Sequence, residues 1–273
     1  MRAMRFHEYG GPSVIVEDDL PIPAPGPGEV LVRVAGTGFN PSEVGLRRGL
    51  LRGVFALDLP YTMGAEVAGT AGGERVVGRV DAGGAAAEYV VAPVSVLVPA
   101  PKEVPLAWAA ALPIAGLTAW QAIVEHAGVR AGHRVLINGA GWGVGGFAVQ
   151  IARHLGAYVI AAASPRGAAT VRAQGAHEVV GYGAAVEPVD VVIHLVPGPA
   201  EGLPEAGRLI SATVPAGQHF VTRNDPGQLA ELVVLVDAGV IRPDVTTRPL
   251  ADLAAVHRDA EARRLRGKTV LVP

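Results

Sequence analysis

The run Val135-Leu136-Ile137-Asn138-Gly139-Ala140-Gly141-Trp142-Gly143-Val144-Gly145-Gly146 carries the densest chemical signal in the chain. An apolar strand empties into glycines, and the glycines open a helical stretch, Val144–Leu155. A turn of this kind uses positive φ angles and lets bare backbone approach a phosphate. The first N–H groups of the helix, which have no partner inside it, then face the anion together with the positive end of the helix dipole. Gly141, Gly143 and Gly146 fit the G-x-G-x-x-G spacing, and a second register through Gly139 fits nearly as well, so the motif alone does not fix each glycine's role. The bland alternative is a turn that packs helix against sheet and binds nothing. A second strand at Tyr158–Ala163 supplies the strand–loop–helix–strand context that favours a dinucleotide pyrophosphate.

The end of that second strand decides which dinucleotide. An Asp or Glu there holds a free ribose 2′-OH. Here the sequence reads Ala161-Ala162-Ala163-Ser164-Pro165-Arg166, and no acidic residue occurs from Phe147 through His177. An acid would repel a 2′-phosphate, whereas a serine hydroxyl and the Arg166 guanidinium would bind one through charge-assisted hydrogen bonds. The expected cofactor is therefore NADP(H) rather than NAD(H). The bland alternative for Arg166 is a solvated arginine at a helix start.

These residues need a scaffold. Up to about Pro105 the pattern is short strands punctuated by Gly and Pro: Met1–His7 with Val14–Glu17, then Glu29–Thr37, Val67–Thr70, Arg75–Arg79 and Ala86–Val91. From there Leu106–Ala111 and Leu117–Ala127 read as helices. Strand–helix alternation follows: Arg134–Asn138, Val144–Leu155, Tyr158–Ala163, Ala168–Gln174, then strands Glu178–Val180 and Val189–Val196. Helices at Pro226–Ala238 and Leu253–Leu265 and a closing strand Lys268–Val272 complete the chain. Alternating β and α segments imply an α/β fold with a doubly wound parallel sheet. Pro197–Gly207 (PGPAEGLPEAG) stands where a crossover helix is expected, and its prolines and glycines argue against a full helix.

Composition narrows the rest. The chain has 273 residues, half of them hydrophobic, enough for two lobes. Lys plus Arg total 23 against 25 Asp plus Glu, a net charge of −2, so there is no general basic field for nucleic acid. The run Arg258, Arg263, Arg264, Arg266, Lys268 reads as a solvated helix face. Without cysteine there are no disulfides and no thiolate metal ligands. The N-terminal MRAMRFHEYGG has no apolar core of a secretory signal, and no run of about eighteen apolar residues marks a membrane span. The expectation is a cytoplasmic protein with no membrane and no nucleic-acid partner.

The motifs together resemble a zinc-independent medium-chain dehydrogenase/reductase of the quinone oxidoreductase-like group. The resemblance runs from Met1–Tyr9 to Arg266-Gly267-Lys268-Thr269-Val270-Leu271. It includes Phe39-Asn40-Pro41-Ser42-Glu43, Leu59–Gly69 with Gly64-Ala65-Glu66, Ala110–Pro113 with Gly116–Ala119, Gly143-Val144-Gly145 with Ala148-Val149-Gln150, and Gly175-Ala176 with Tyr182. It implies a GroES-like β domain, residues 1–115 completed by 242–273, and a Rossmann domain, 116–241. It places Asn40 and Thr118 near the nicotinamide, Gly143, Val144 and Gly145 along the pyrophosphate with Gly141, and Ser164, Arg166 and Tyr182 around the 2′-phosphate. A homodimer is common in that group.

Four departures shape the expected chemistry. The zinc-dependent relatives' Gly-His-Glu reads Gly64-Ala65-Glu66 here, so a catalytic zinc is not expected. The stretch Val44–Phe55 lacks a tyrosine proton donor, which leaves Tyr61 as the nearest substitute, or a packed aromatic. His194 stands near the end of a buried strand where relatives usually have an acid, and is either a contact of the nicotinamide ribose or a satisfied core histidine. Trp142 replaces a small residue in the glycine loop. The expected activity is NADPH-dependent, metal-free hydride transfer to a quinone or α,β-unsaturated carbonyl, with Leu46, Leu50, Leu51 and Phe55 forming an apolar acceptor pocket. A non-catalytic NADP(H)-binding protein is the alternative.

Overall fold

The computed structural model describes residues 1–54 and 56–273. In chain order the first elements are β1 (Arg2–Phe6), β2 (Ile15–Asp19), β3 (Glu29–Gly38), α1 (Ser42–Arg47), β4 (Tyr61–Thr62), β5 (Glu66–Ala71), β6 (Glu74–Arg79), β7 (Tyr89–Pro93) and β8 (Leu97–Pro99). A helical run, α2 (Leu106–His126), follows. Then come β9 (Arg134–Asn138), α3 (Gly143–His154), β10 (Tyr158–Ala162), α4 (Ala168–Ala173), β11 (Glu178–Val180), β12 (Val189–His194), β13 (Ala206–Ser211) and β14 (Gln218–His219). The last are α5 (Pro226–Asp237), β15 (Val245–Pro249), α6 (Leu253–Glu261) and β16 (Lys268–Val272).

The chain divides into two compact units. One holds Met1–Ile114, Asn224–Asp237 and Val245–Pro273; the other holds Ala115–Arg223 and Ala238–Asp244. The helix α5 thus groups with the first unit, whereas the resemblance implies a Rossmann stretch, 116–241, that would include it. The reason is local bonding. The Asp237 carboxylate accepts the N–H groups of Lys102 (2.7 Å) and Glu103 (3.1 Å), and Asn224 donates to the Arg79 carbonyl (3.0 Å).

In the first unit β2-β1-β4 form one sheet and β15-β16-β3-β5-β6-β8 another, with β7 also paired to β3. The β5–β6 hairpin turns on Gly72 and Gly73, both at positive φ (58° and 91°). Two such residues give a turn whose twist matches that of the flanking strands, which is how the sequence shortens this connection. The expected strand at Ala86–Val91 starts later, at Tyr89. Ala86 instead accepts from Met4 N–H and donates to Met63 O, stitching the buried Ala85–Ala87 segment between other strands.

In the second unit six strands run β11-β10-β9-β12-β13-β14, and every pairing is parallel. Relative to chain order this is the doubly wound arrangement. The order reverses between β9 and β12, and the C-terminal end of β9 lies at that switch point, where ligands bind in such sheets. Residues 195–205 join β12 to β13 without a helix, as the prolines there dictate.

The helix α2 is continuous where two helices were expected. Pro113 has no N–H to give, and the chain meets this with a wide turn at Leu112–Gly116. The run is long and apolar enough to cross a membrane, but 72% of its most apolar window is buried inside the protein, the pattern of a core helix.

Candidate active site

The second unit presents the glycine loop as the sequence suggested. Trp142 caps α3 in extended conformation, and its carbonyl accepts the Gly146 N–H (3.1 Å), so Gly146 is the first residue bonded in the helical manner. The N–H groups of Gly143, Val144 and Gly145 precede it and have no intrahelical acceptor. No side chain caps this end, and no acid stands in the first turn. Gly139 has φ of 104°, which only glycine adopts readily. A Cβ on Gly145 would stand 2.2 Å from the Gly139 carbonyl oxygen, so this glycine sets how closely helix meets strand. Gly141 packs on the turn after β10: a Cβ on Gly167 would lie 3.5 Å from its Cα. That turn is closed by the Gly167 N–H donating to Ser164 O (2.9 Å), and it carries exposed Arg166.

Two sequence-assigned residues have partners the sequence did not reveal. The Trp142 indole lies beside the Tyr182 phenol; partial burial pushes that phenol's pKa up, and the neighbouring indole pulls the other way. Both aromatics remain well exposed (38% and 45%). The Trp142 side chain thus reaches from the glycine loop to the segment after β11. His194 is fully buried; its Nδ1 pairs with Asn138 Nδ2 (2.9 Å) and its Nε2 with Gly198 O (3.2 Å). Asn138 can only donate through Nδ2 and Gly198 only accept, so the ring is neutral with its proton on Nε2. Neither nitrogen is left for a cofactor, which corrects the expected ribose contact: His194 ties the end of β12 to the loop that follows. Thr118 shares a 2.7 Å hydrogen bond with Thr222, and neighbouring Gln121 pairs through both amide atoms with the backbone of Arg223.

In the first unit, Asn40 belongs to a buried polar cluster. Asn40 leads into α1, whose N-cap is Pro41, and Glu43 in the first turn bonds back to Asn40. Glu43 N–H donates to Asn40 O (2.9 Å), and the Glu43 carboxylate accepts Asn40 N–H (3.3 Å). Desolvation lifts the Glu43 pKa to about 7, with nearby Glu66 adding to the rise and Lys268 opposing it. The Asn40 amide lies between two charges: its Nδ2 donates to Glu66 Oε2 (2.7 Å), and its Oδ1 accepts from Lys268 Nζ (2.7 Å). Lys268 Nζ also reaches Glu66 Oε2 (2.5 Å), and Ile114 N–H donates to Glu66 Oε1 (2.6 Å). All three side chains are buried. Gly38 makes the room: a Cβ there would stand 2.2 Å from Glu66 Oε2.

Tyr61 sits differently from an aimed acid. Its ring packs on Phe6 (centroids 5.6 Å apart), and its hydroxyl fills the space beside Gly83 that a Cβ would occupy. Burial, reinforced by Glu43, pushes its pKa up to about 12. This is the geometry of a packed aromatic. Of the expected apolar pocket, Leu50 is exposed, Leu46 and Leu51 are half-buried, and Phe55 lies outside the described residues.

Comparison with known proteins places these features. Residues 26–102 match the alcohol dehydrogenase GroES-like domain, and 167–271 match the family described as zinc-binding dehydrogenase. The chain is 33% identical over 226 residues to the chloroplast envelope quinone oxidoreductase homolog of Arabidopsis thaliana, covering 72% of this chain and 69% of that one. This chain belongs to the medium-chain dehydrogenase/reductase superfamily, in its quinone oxidoreductase-like group. Among solved members of similar fold, an NAD-dependent alcohol dehydrogenase superposes with a TM-score of 0.90 at 30% identity, covering 100% of both chains. A mycobacterial protein complexed with NADPH superposes at 0.85 and 28%, again over 100% of both. Both of these neighbours are thus proteins of a nicotinamide dinucleotide, one named for NAD and one complexed with NADPH.

The residues fit that cofactor and do not fit zinc. For the dinucleotide, the glycine cradle and the uncapped start of α3 provide a phosphate-sized set of donors. For zinc, the Glu66 carboxylate already holds an ammonium, an amide N–H and a backbone N–H. Among the described residues no group of three His, Asp or Glu is placed to hold a metal ion.

The sequence reading passed over the role of Glu66, and its placing of Lys268 on a solvated helix face is corrected: Lys268 is buried at the head of β16. Each is a charged residue heading an otherwise apolar strand, EVAGT and KTVLV, and that was the available signal. Their pairing across 202 positions was not readable. The same holds for Arg47, fully buried in α1. It bonds the Gly10 carbonyl, His257 Nδ1 (3.3 Å) and Glu261 (2.5 Å).

Proposed function

We propose that this protein is an NADPH-dependent, metal-independent reductase of a quinone or an α,β-unsaturated carbonyl compound. The observation that carries this is the turn after β10: Ser164 and Arg166 stand at the strand end where an acid would select NAD(H), and no acid occurs anywhere in α3, β10 or α4. Membership of the quinone oxidoreductase-like group supports the acceptor class. The lack of a fitting zinc site favours an acceptor that is already electrophilic over an alcohol, whose oxidation needs stronger activation.

Each part of the chain then has a task. Gly143, Val144 and Gly145 offer their N–H groups to the pyrophosphate, with Gly141 allowing close approach. Ser164 and Arg166 hold the 2′-phosphate, and Tyr182 flanks it. In the first unit, Asn40 supplies an amide for orienting the acceptor. The bound reduced cofactor supplies the hydride. The protein contributes position and dryness rather than an acid, since Tyr61 is engaged in packing and the proton for the product can come from water.

Calorimetry with NADPH and NADH, followed by an NADPH-oxidation assay over a panel of quinones and enones, tests the reading. The expected results are at least tenfold tighter binding of NADPH and turnover with some member of the panel. NADH bound as tightly as NADPH would overturn the cofactor assignment. NADPH bound without turnover by any acceptor would instead establish a binding protein.

A further inference from the structure

Asn40 is the one polar side chain of the first unit to which the proposed reaction gives an orienting role, and its amide is held from both sides. Lys268 is a donor only, so the atom facing it at 2.7 Å must be the amide oxygen. Ionised Glu66 is an acceptor only, so the atom facing it at 2.7 Å must be the amide nitrogen. The two charges therefore fix which way the carboxamide points, without reliance on crowding. They also act on it in the same sense. A cation at the oxygen and an anion at one N–H both favour the dipolar amide form, in which nitrogen carries positive character. The second Nδ2 hydrogen becomes a better donor as a result.

We propose that Lys268 and Glu66 are positioning residues that lock Asn40 as a polarised hydrogen-bond donor, whose second Nδ2 hydrogen is offered to the carbonyl oxygen of the acceptor. This rests on the reading of Asn40 as a substrate-facing residue. Gly38 and Ile114 belong to the same device: the bare Gly38 leaves room for the Glu66 carboxylate, and the Ile114 N–H occupies its other oxygen. With Oε1 taken by the backbone, Oε2 is left to meet both Lys268 and Asn40. Hydride delivered to the β-carbon of an enone, or to a quinone, puts negative charge on that carbonyl oxygen. A fixed donor there stabilises the developing charge more than it stabilises the bound acceptor, so its loss shows in kcat more than in KM.

The test has two arms. In the kinetic arm, Asn40→Ala and Lys268→Met are each expected to lower kcat about 10- to 100-fold with NADPH affinity within about twofold of the parent. The double variant Asn40→Ala/Lys268→Met should be no slower than Asn40→Ala alone, because Lys268 acts only through Asn40. Multiplying losses would overturn the proposal. Lys268→Met leaves Glu66 charged and unpaired, so Glu66→Gln/Lys268→Met serves as the variant that removes both charges. It should fold and show the same loss in kcat. The second arm does not need turnover. In ¹⁵N spectra the Asn40 side-chain NH₂ pair should be well separated and slow to exchange in the parent. In Glu66→Gln/Lys268→Met the two signals should draw together and exchange faster. Unchanged signals would overturn the locking, whether or not any acceptor is reduced. Clear changes beside a protein that oxidises no NADPH would uphold the locking and reject only the reductase reading.

Discussion

At the scale of single residues, two buried titratable groups in the first unit pull stability in opposite directions with pH. Glu43 has its pKa raised from an ordinary 4.5 to about 7 by desolvation. The folded state therefore binds the proton more tightly than the unfolded chain, and stability falls as pH rises from about 4.5 to about 7. Over that window the loss is about 3 kcal/mol. Glu43→Gln cannot ionise, so its stability relative to the parent should grow across the same window and level off above pH 7, as denaturant melts between pH 4 and 8 would show. A pH-independent difference would contradict the assignment. His257 behaves in the opposite way. Burial first, and the adjacent Arg47 second, depress its pKa from 6.5 to about 3. Its neutral ring stabilises the fold near neutrality, and that contribution is lost as pH falls from about 6.5 towards 3. The ring stands edge-on to Phe39 at 5.0 Å with Nε2 unpartnered, so protonation puts a charge into an apolar wall. His257→Phe should flatten the acid limb of the stability curve. Ser164→Asp belongs to the same scale. One added carboxylate beside a 2′-phosphate should weaken NADPH at least tenfold, about 1.4 kcal/mol, and leave NADH unharmed. Calorimetry with both cofactors decides it.

At the scale of elements, the glycine loop is held by packing as much as by motif. Gly145→Ala would drive its methyl into the Gly139 carbonyl and the Ala140 Cα, both backbone, with no side chain able to move aside. The expected cost is at least about 2 kcal/mol in stability, with loss of dinucleotide binding. A chemical melt and a cofactor titration would show either. The Trp142 side chain reaches from this loop to Tyr182 in the segment after β11, over the same strand ends that carry Ser164 and Arg166. A dinucleotide entering there changes the surroundings of an indole that is 38% exposed. The chain has three tryptophans, and the NADPH-induced change in their emission should shrink strongly in Trp142→Phe. An undiminished signal would mean that the cofactor does not reach this side chain. The crossover from β12 to β13 shows an element decided by composition: its prolines forbid the usual helix, yet the two strands still pair in parallel over Val189–His194 and Ala206–Ser211.

At the scale of the whole molecule, each unit is assembled from segments distant in sequence. The first unit recruits α5 through Asp237, whose carboxylate accepts two backbone N–H groups. Asp237→Ala should cost about 1 kcal/mol, read as a melting temperature about 2–4 °C lower, with little effect on dinucleotide affinity. The fold class and the glycine loop were legible in the sequence because they depend on local rules. Strand-to-helix alternation sets a doubly wound sheet, glycine sets positive φ, and a missing acid shows plainly along one short stretch. The division of the chain was less legible, since α5 has the same apolar character wherever it packs.

What the amino-acid order determined by itself was the sheet type, the glycine run Gly139–Gly146, the lack of an acid from Phe147 through His177, and the absence of thiolate ligands. Each of these is written within about thirty consecutive residues or in composition. What only the tertiary structure decided was which polar side chains meet. Lys268 reaches Asn40 across 228 positions, Arg47 reaches His257 across 210, and His194 meets Asn138 of the neighbouring strand across 56 and Gly198 of the loop that follows it. A buried charge or ring must find a partner, but the sequence states only the need. The partner is chosen by where distant strands and helices bring their side chains together in space.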